Sequence, residues 1–424
     1  MKVINSKLLL FVVSAVMLGR ASCGYAESVK IGLNYPQTGP YSVQGKAQVD
    51  AARLAVQEIN KQGGILGHTV ELVMKDTESK PDVSTKNVLE MIDKDKCEMI
   101  FGGASSAVAI AGGKAAKSRG KLYFGTLTYS NTTTEEEGHK YMFRECYNAW
   151  MGAKALGKYL VDSHLQGIKY FYITANYTWG KTTEESIRTF SLTTDTRRHK
   201  RRYVPFPGAT YKDLSQALEW AGAVKPDVLV LVLFGKDMSR TLEILQERGM
   251  KKKFKVIVVP NLTLGMAIEA GAEAMEGVIG ALPWAWNVPY KYNYPKGKEF
   301  VEKFAKIYNS YPSSSAASAY TILYQYKDAV ERAGTFDTKK VIAALEGHSF
   351  VSMKDEQVWR AFDHQAVQSV YTVRCKPAEE VLKDKFKEDY FEILYKMDGD
   401  EAARSKEEWL ELRKKAGKPA ELEF

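Results

Sequence analysis

The most regular hydrophobic pattern of this chain lies near its N-terminus. Apolar and other positions alternate over residues 29–33 (VKIGL), which predicts a strand. The strand is followed by a loop rich in Pro and Gly, residues 36–40, and then by helical apolar spacing over residues 47–60. Gly63-Gly64 ends that helix, and residues 70–75 (VELVMK) form a second strand. Together these elements predict a right-handed βαβ unit, whose first loop is where such folds bind ligands.

The same alternation of strands and helices continues to residue 259. One run of units ends near residue 125, and a second begins at residue 170. Two such runs predict an α/β protein of two doubly wound parallel-sheet lobes. The predicted strands are 29–33, 70–75, 98–101, 121–125, 170–174, 203–206, 228–234 and 256–259. The helices predicted between them include 81–93 and 178–190.

Three successive motifs carry a family resemblance. They are QTGPYSVQG (37–45), AVQEINKQGGILG (55–67) and VELVMKDTESKPD (70–82). They resemble the opening of type I periplasmic solute-binding proteins, especially the leucine/isoleucine/valine- and amide-binding receptors of ABC importers. The resemblance covers roughly residues 28–375 and implies two lobes joined by a three-segment hinge.

The resemblance also implies a division of the chain. The chain would cross between the lobes near residues 143–147, 280–284 and 350–355. The implied units are a signal peptide (1–26), lobe one (27–145 with 284–352), lobe two (146–283 with 353–375) and a charged C-terminal extension (376–424). The extension has helical spacing at Trp409, Leu412 and Ala416 and no functional interpretation.

The N-terminus predicts export. Lys2 and Lys7 precede an apolar run, LLLFVVSAVML (8–18), and a small residue stands before Glu27, so a cleaved signal peptide is expected. An uncleaved membrane anchor and a lipoprotein modified at Cys23 are the alternatives. The net charge is +9, and its densest cluster, Arg197–Arg202, is interpreted as a solvated loop rather than a nucleic-acid surface.

Three cysteines remain after the predicted cleavage, and an exported protein can oxidise one pair of them. Because the crossings of the resembled architecture converge on the hinge, Cys146 and Cys375 are the hypothesised pair, with Cys97 left as a thiol. The chain has no CxxC motif or Cys/His cluster, so neither a metal nor another cofactor is expected.

The strongest candidate for a binding site is Gly102–Ser106, which follows a predicted strand and opens a helix. Helix N–H groups and hydroxyls there suit a carboxylate, although a plain N-cap is the alternative. The resemblance places a hydroxyl donor at Ser105, a second contact loop at residues 126–131 and an aromatic wall at Trp179. The alternative for residues 126–131 is an ordinary polar loop, and the alternative for Trp179 is core packing. The full set of expected ligand-binding residues is Tyr41, Ala104, Ser105, Ser106, Tyr129, Ser130, Trp179, Phe234 and Asn261.

Asn261 departs from the resembled family, whose amino-acid receptors carry an acid there that pairs the ligand's ammonium. A neutral amide cannot neutralise a desolvated cation, so zwitterionic branched-chain amino acids are expected to bind poorly unless another acid, such as Asp237, takes the role. Seven aromatic residues point to a larger or flatter ligand: Trp150, Trp179, Trp284, Trp286, Tyr290, Tyr292 and Tyr294. The last five of them could instead pack together in one exposed loop.

The resemblance therefore implies a periplasmic receptor that closes on an amino acid, amide or aromatic acid-like ligand and delivers it to an ABC permease of the inner membrane. A monomer that does not bind nucleic acid is expected. The alternative is an extracytoplasmic sensor that feeds a signalling partner. Hydrolysis is disfavoured, because residues 103–107 (GASSA) only half-match the GxSxG elbow, although Asp363 and His364 follow later.

Overall fold

The computed structural model describes residues 28–424. The expected signal peptide and its cleavage point lie outside the described residues. Within 28–424, no helix combines the length and the apolar character needed to cross a membrane.

The first lobe is built on a parallel sheet in the order β2-β1-β3-β4-β5. Its strands are β1 (Ser28–Tyr35), β2 (Thr69–Asp76), β3 (Met99–Gly103), β4 (Leu122–Thr126) and β5 (Met142–Arg144). Because all five strands run in the same direction, their carboxyl ends meet at one edge, where the predicted binding loops follow β1, β3 and β4.

The second lobe contains a sheet of seven strands in the order β15-β14-β10-β9-β8-β6-β7. Its first five strands in the chain are parallel: β6 (Tyr170–Ala175), β7 (Lys200–Val204), β8 (Val228–Val232), β9 (Val256–Val259) and β10 (Ile279–Leu282). The two parallel-sheet lobes predicted from the sequence are thus present.

After β10, the chain forms a small antiparallel sheet. It consists of β11 (Ser349–Val351), β12 (Glu356–Trp359) and β13 (Ala366–Val367). Gln365 bridges to Arg144 at the edge of the first sheet, and Trp359 packs on Phe124 and Phe143. The chain therefore enters the second sheet after Gln368 and Ser369, later than the expected crossing near residues 350–355.

Two further strands complete the second sheet. They are β14 (Val370–Cys375) and β15 (Phe391–Met397), and both are antiparallel to their neighbours. β15 comes from the C-terminal extension, so this part of the extension belongs to the second sheet.

Helices cover both sheets. Those before the second crossing are α1 (Ser42–Lys61), α2 (Pro81–Asp93), α3 (Ser106–Lys117), α4 (Ala149–Asp162), α5 (Thr178–Phe190), α6 (Tyr211–Val224), α7 (Lys236–Glu247), α8 (Leu264–Ala270) and α9 (Ala272–Met275). The later ones are α10 (Val288–Lys291), α11 (Pro295–Tyr308), α12 (Ser314–Ala333), α13 (Thr338–Leu345), α14 (Ala378–Lys383), α15 (Gly399–Ala402) and α16 (Lys406–Lys415).

The extension also reaches the first lobe. Trp409 on α16 is buried, and its indole N–H donates to the carbonyl of Thr134 at 2.9 Å. The buried Arg413 donates to the carbonyl of Glu135 at 2.6 Å. Residues 376–424 therefore contact both lobes: β15 pairs with the sheet of the second lobe, and α16 packs on the first lobe.

Two expectations need correction. The basic cluster is not only a loop, because Lys200, Arg201 and Arg202 belong to the edge strand β7, with exposed side chains. The Cys146–Cys375 disulfide is wrong: within residues 28–424 all three cysteines are buried, free thiols. Cys146 lies at the first crossing, whereas β14 runs away from the hinge and places Cys375 at its far end, about 17 Å from Val370. A disulfide requires Cα atoms within about 7 Å.

Candidate functional site

The loop between β3 and α3 has the backbone of a binding turn. Gly102 has φ of 131°, and a Cβ there would lie 2.2 Å from the carbonyl oxygen of Asn34, so only glycine fits. Ala104 has φ of 53° and Ser105 takes the N-cap position of α3 without capping it. The buried Ser105 hydroxyl has no hydrogen-bond partner among the described residues. A hydroxyl and the free N–H groups of the first helical turn thus stand together, as an oxyanion ligand needs.

The loop after β4 is held by a buried arginine that the sequence did not single out. Arg144 donates to the carbonyl of Thr128 at 3.0 Å, to that of Ser130 at a shorter distance and to the hydroxyl of Thr134 at 2.6 Å. Burial lowers the pKa of Arg144 to about 10. Because the guanidinium binds the carbonyl side of the loop, it fixes the backbone around Tyr129.

Ser106 and Ser130 have positioning contacts. The Ser106 hydroxyl accepts a hydrogen bond from the backbone N–H of Ser130 at 2.9 Å, which ties the β3–α3 turn to the β4 loop. The Ser130 hydroxyl contacts those of Thr132 at 2.6 Å and Thr182 at 3.3 Å. Since Thr182 lies on α5 of the second lobe, Ser130 stands where the lobes meet.

Aromatic rings from both lobes form a continuous cluster beside these loops. Phe234 is its centre, because Tyr41, Tyr129 and Trp179 lie with their ring centroids 5.3, 5.9 and 5.8 Å from it. Tyr177 and Phe206 stack on each other at 3.7 Å and join the cluster through Tyr41 and Trp179, and Tyr147 stacks on Tyr129 at 5.0 Å. The hydroxyl of Tyr129 and the indole N–H of Trp179 are buried and lack hydrogen-bond partners within the described part of the chain.

Contacts at the mouth of the cleft show a closed arrangement. The hydroxyl groups of Tyr41 and Tyr177 are 3.1 Å apart, and the N–H of Lys236 donates to the carbonyl of Pro40 at 3.1 Å. A Cβ on Gly235 would lie 2.5 Å from the Tyr41 ring, so the approach of the lobes requires glycine at this point.

Asn261 is buried at the floor of the second lobe. Its amide nitrogen donates to the hydroxyl of Tyr147 at 2.8 Å, and its oxygen has no hydrogen-bond partner among residues 28–424. Asp237, the other acid considered, accepts from the backbone N–H of Ala209 at 3.1 Å. Burial raises the pKa of Asp237 to about 6.

The structure thus brings the predicted residues together around one closed cleft. Tyr147 was missed, although its place at the end of the first crossing was a usable signal. Three other aromatic residues of the sequence-based set lie outside the cluster: Trp286 stacks on Tyr311 at 3.9 Å, Trp150 packs on Phe190, and Tyr292 packs on Tyr371.

The hydrolase alternative has no geometric support. His364 is buried, and its ring nitrogens contact a carboxylate oxygen of Glu346 at 2.8 Å and the carbonyl of Met142 at 3.2 Å. The ring stacks on Phe143 at 3.8 Å. The histidine is therefore part of the packing of the first lobe and does not activate Ser105.

Comparison with known proteins identifies the family. The family model described as periplasmic binding protein matches residues 28–380. The chain belongs to the periplasmic binding protein family. The chain is thus a solute-binding receptor rather than an enzyme, as the resemblance implied.

Individual relatives are distant in sequence. The receptor is 24% identical over 372 residues to a Leu/Ile/Val-binding protein homolog of Brucella melitensis, which covers 83% of this chain and 85% of the relative. A periplasmic binding protein from Burkholderia mallei superposes with a TM-score of 0.79 at 24% identity, covering 90% of this chain and 98% of the other. A solute-binding protein of an ABC transporter from Rhodopseudomonas palustris, in complex with 3,4-dihydroxybenzoic acid, has a TM-score of 0.74 at 20% identity, with coverage of 88% and 98%.

Proposed function

We propose that this receptor binds a flat organic acid, of the aromatic carboxylate class, and delivers it to an ABC permease. The aromatic cluster around Phe234 carries the proposal, because rings from both lobes would enclose a planar ligand on its faces and edges. A carboxylate would bind at Ser105 and the N-terminus of α3, where the helix dipole favours an anion.

The charges around the cleft support an anionic ligand. The Arg144 guanidinium, bound to the loop on either side of Tyr129, keeps a buried positive charge beside that loop. Asn261 offers a neutral amide where an amino-acid receptor needs an acid. The relatives are named for both ligand types, one for Leu/Ile/Val binding and one by its complex with 3,4-dihydroxybenzoic acid. The site chemistry favours the second type.

The transport cycle follows from closure. The ligand would bridge Ser105 and Tyr129 on the first lobe to Trp179 and Phe234 on the second, so binding would favour the closed arrangement. A permease in the inner membrane would then recognise the closed lobes. The receptor would act in the periplasm as a monomer, after cleavage of residues 1–26, and would not bind nucleic acid.

A thermal-shift experiment tests the ligand class. The full mature chain is heated with benzoate, 3,4-dihydroxybenzoate, benzamide, urea or leucine, each at a wide range of concentrations. Aromatic carboxylates should raise the midpoint of unfolding, because a ligand at about 100 times its Kd adds about 2.7 kcal/mol to the free energy of unfolding. A shift with leucine alone, or with the amides alone, would reject the proposal.

A further inference from the structure

A small cavity lies beside the three crossings. It has a volume of about 20 Å³, enough for one water molecule or for one ligand substituent of similar size. Each crossing contributes to its wall, the first through Glu145, the second through Pro283 and Trp284, and the third through Gln368, and Lys354 also lines the cavity. Small side chains of α12, Ser314 and Ser318 among them, complete the wall.

Two side chains that line the cavity carry a hydrogen-bond donor and a hydrogen-bond acceptor, both without partners. The indole N–H of Trp284 can only donate a hydrogen bond, and the side-chain oxygen of Gln357 can only accept one. Both residues are at most 4% exposed, and neither of these atoms has a hydrogen-bond partner within residues 28–424. Buried polar groups are rarely left unpaired, so the two atoms call for an occupant that accepts from one and donates to the other.

The charges in the wall exclude a bare ion. The Lys354 ammonium is buried and donates to the carbonyls of Pro283 at 2.7 Å and Ser369 at 2.8 Å. The carboxyl group of Glu145, also buried, lies in the same wall, and the two groups interact electrostatically. A cation would meet the ammonium and an anion would meet the carboxylate, which leaves a neutral group as the occupant.

The cavity adjoins the candidate cleft beside Tyr147, whose ring stacks on that of Tyr129. Tyr147 comes two residues after Glu145 of the cavity wall. Its hydroxyl donates at 3.1 Å to the carbonyl of Ala281, two residues before Pro283 of the same wall. Tyr129 belongs to the aromatic cluster that would enclose the ligand. A ring substituent on a ligand held against Tyr129 would thus lie close to the cavity whose wall holds Trp284 and Gln357.

We propose that the hinge cavity is a subsite of the ligand cleft and takes a hydroxyl group, supplied by a ring substituent of the ligand or, without one, by a water molecule. This inference rests on the proposed function. It makes a hydroxylated aromatic acid a better ligand than the unsubstituted acid, and it connects ligand recognition to the residues on which the lobes turn.

Calorimetry with a matched pair of ligands tests the subsite. The parent should bind 3,4-dihydroxybenzoate about tenfold more tightly than benzoate, since the hydroxyl pairs Trp284 and Gln357. Trp284→Phe keeps a ring but removes the N–H donor, so it should abolish most of this preference and leave benzoate affinity nearly unchanged. Trp286→Phe is the control, because Trp286 stacks on Tyr311 outside the cavity and the preference should persist. An unchanged preference in Trp284→Phe overturns the subsite.

A second measurement separates failure of the subsite from failure of the proposed ligand class. If neither acid binds, the proposed function fails. The crystal structure of the full mature chain without added ligand then shows what occupies the cavity. One water within hydrogen-bond distance of Trp284 Nε1 and Gln357 Oε1 is the expected result. A dry cavity, or an ion in place of the water, overturns the inference.

Discussion

The guanidinium of Arg404 lies 3.4 Å from the centre of the Trp150 ring. Trp150 is on α4 of the second lobe, whereas the Nε of Arg404 donates to the Glu135 carboxylate of the first lobe at 2.8 Å. One side chain of the C-terminal extension therefore contacts both lobes, between β15 and α16. The extension connects the lobes in addition to the three crossings.

Replacing Arg404 should weaken this connection. Arg404→Ala leaves the Glu135 carboxyl buried without its partner, so the free energy of unfolding should fall by about 3 kcal/mol, measured by urea denaturation. The control is Arg374→Ala, because Arg374 is exposed and its ion pair with Glu392 is long, at 3.8 Å. That change should cost less than about 1 kcal/mol. Equal losses in the two variants would contradict a special role for Arg404.

Ser105→Ala should weaken ligand binding by about 1–2 kcal/mol, because the ligand's oxygen loses a buried donor. The measurement is calorimetry with whichever acid the thermal-shift screen identifies. Ser163→Ala is the control, since Ser163 is an exposed serine after α4. Unchanged affinity in Ser105→Ala would mean that the hydroxyl does not contact the ligand.

Leucine should bind poorly to the parent receptor, because Asn261 cannot neutralise its ammonium group. Its analogue without the amino group, 4-methylpentanoate, separates this effect from the fit of the side chain. Asn261→Asp should shift the preference towards leucine by introducing a carboxylate beside Tyr147. Tight leucine binding by the parent that depends on the ammonium group would show the prediction to be wrong.

Asp237 should make stability depend on pH. Burial raises its pKa from 3.8 to about 6, so between about pH 4 and pH 6 the folded receptor binds more protons at this group than the unfolded chain. The contribution of Asp237 to the free energy of unfolding therefore falls as the pH rises through this window. Asp237→Asn removes this pH dependence. The free energy of unfolding of the variant minus that of the parent should therefore rise from pH 4 to pH 6. Parallel pH curves for the two proteins would exclude the effect.

The cysteines should behave as buried thiols. Burial raises the pKa of Cys97 and of Cys146 to about 12 and raises that of Cys375 as well, so few thiolates form at neutral pH. A chain that begins at Glu27 should react slowly with a thiol reagent when native. In denaturant without reductant it should yield three thiols. Recovery of only one thiol would restore the disulfide hypothesis.

Local sequence patterns predicted many of the elements closely. The helices Pro81–Asp93 and Thr178–Phe190 and the strand Val256–Val259 have the predicted bounds. Each is specified by its own apolar periodicity and by the residues at its ends, such as Pro81 at the start of a helix. The candidate residues could also be found, because loops at the carboxyl ends of parallel strands necessarily share one edge of the sheet.

Long-range pairing was decided only by the tertiary structure. Nothing in the order of residues around Arg144 shows that it would hold the Tyr129 loop, and nothing around Phe391 shows that β15 would pair with β14. The direction of β14 likewise decided that Cys375 lies far from Cys146. The sequence by itself determined the two-lobe architecture and the sheet edge that carries the candidate loops. Each strand and helix is specified by apolar periodicity over a few residues, and the order of these elements specifies the two lobes. The folded chain alone decided which distant groups satisfy one another's hydrogen bonds and charges, because those partners are chosen by packing rather than by spacing.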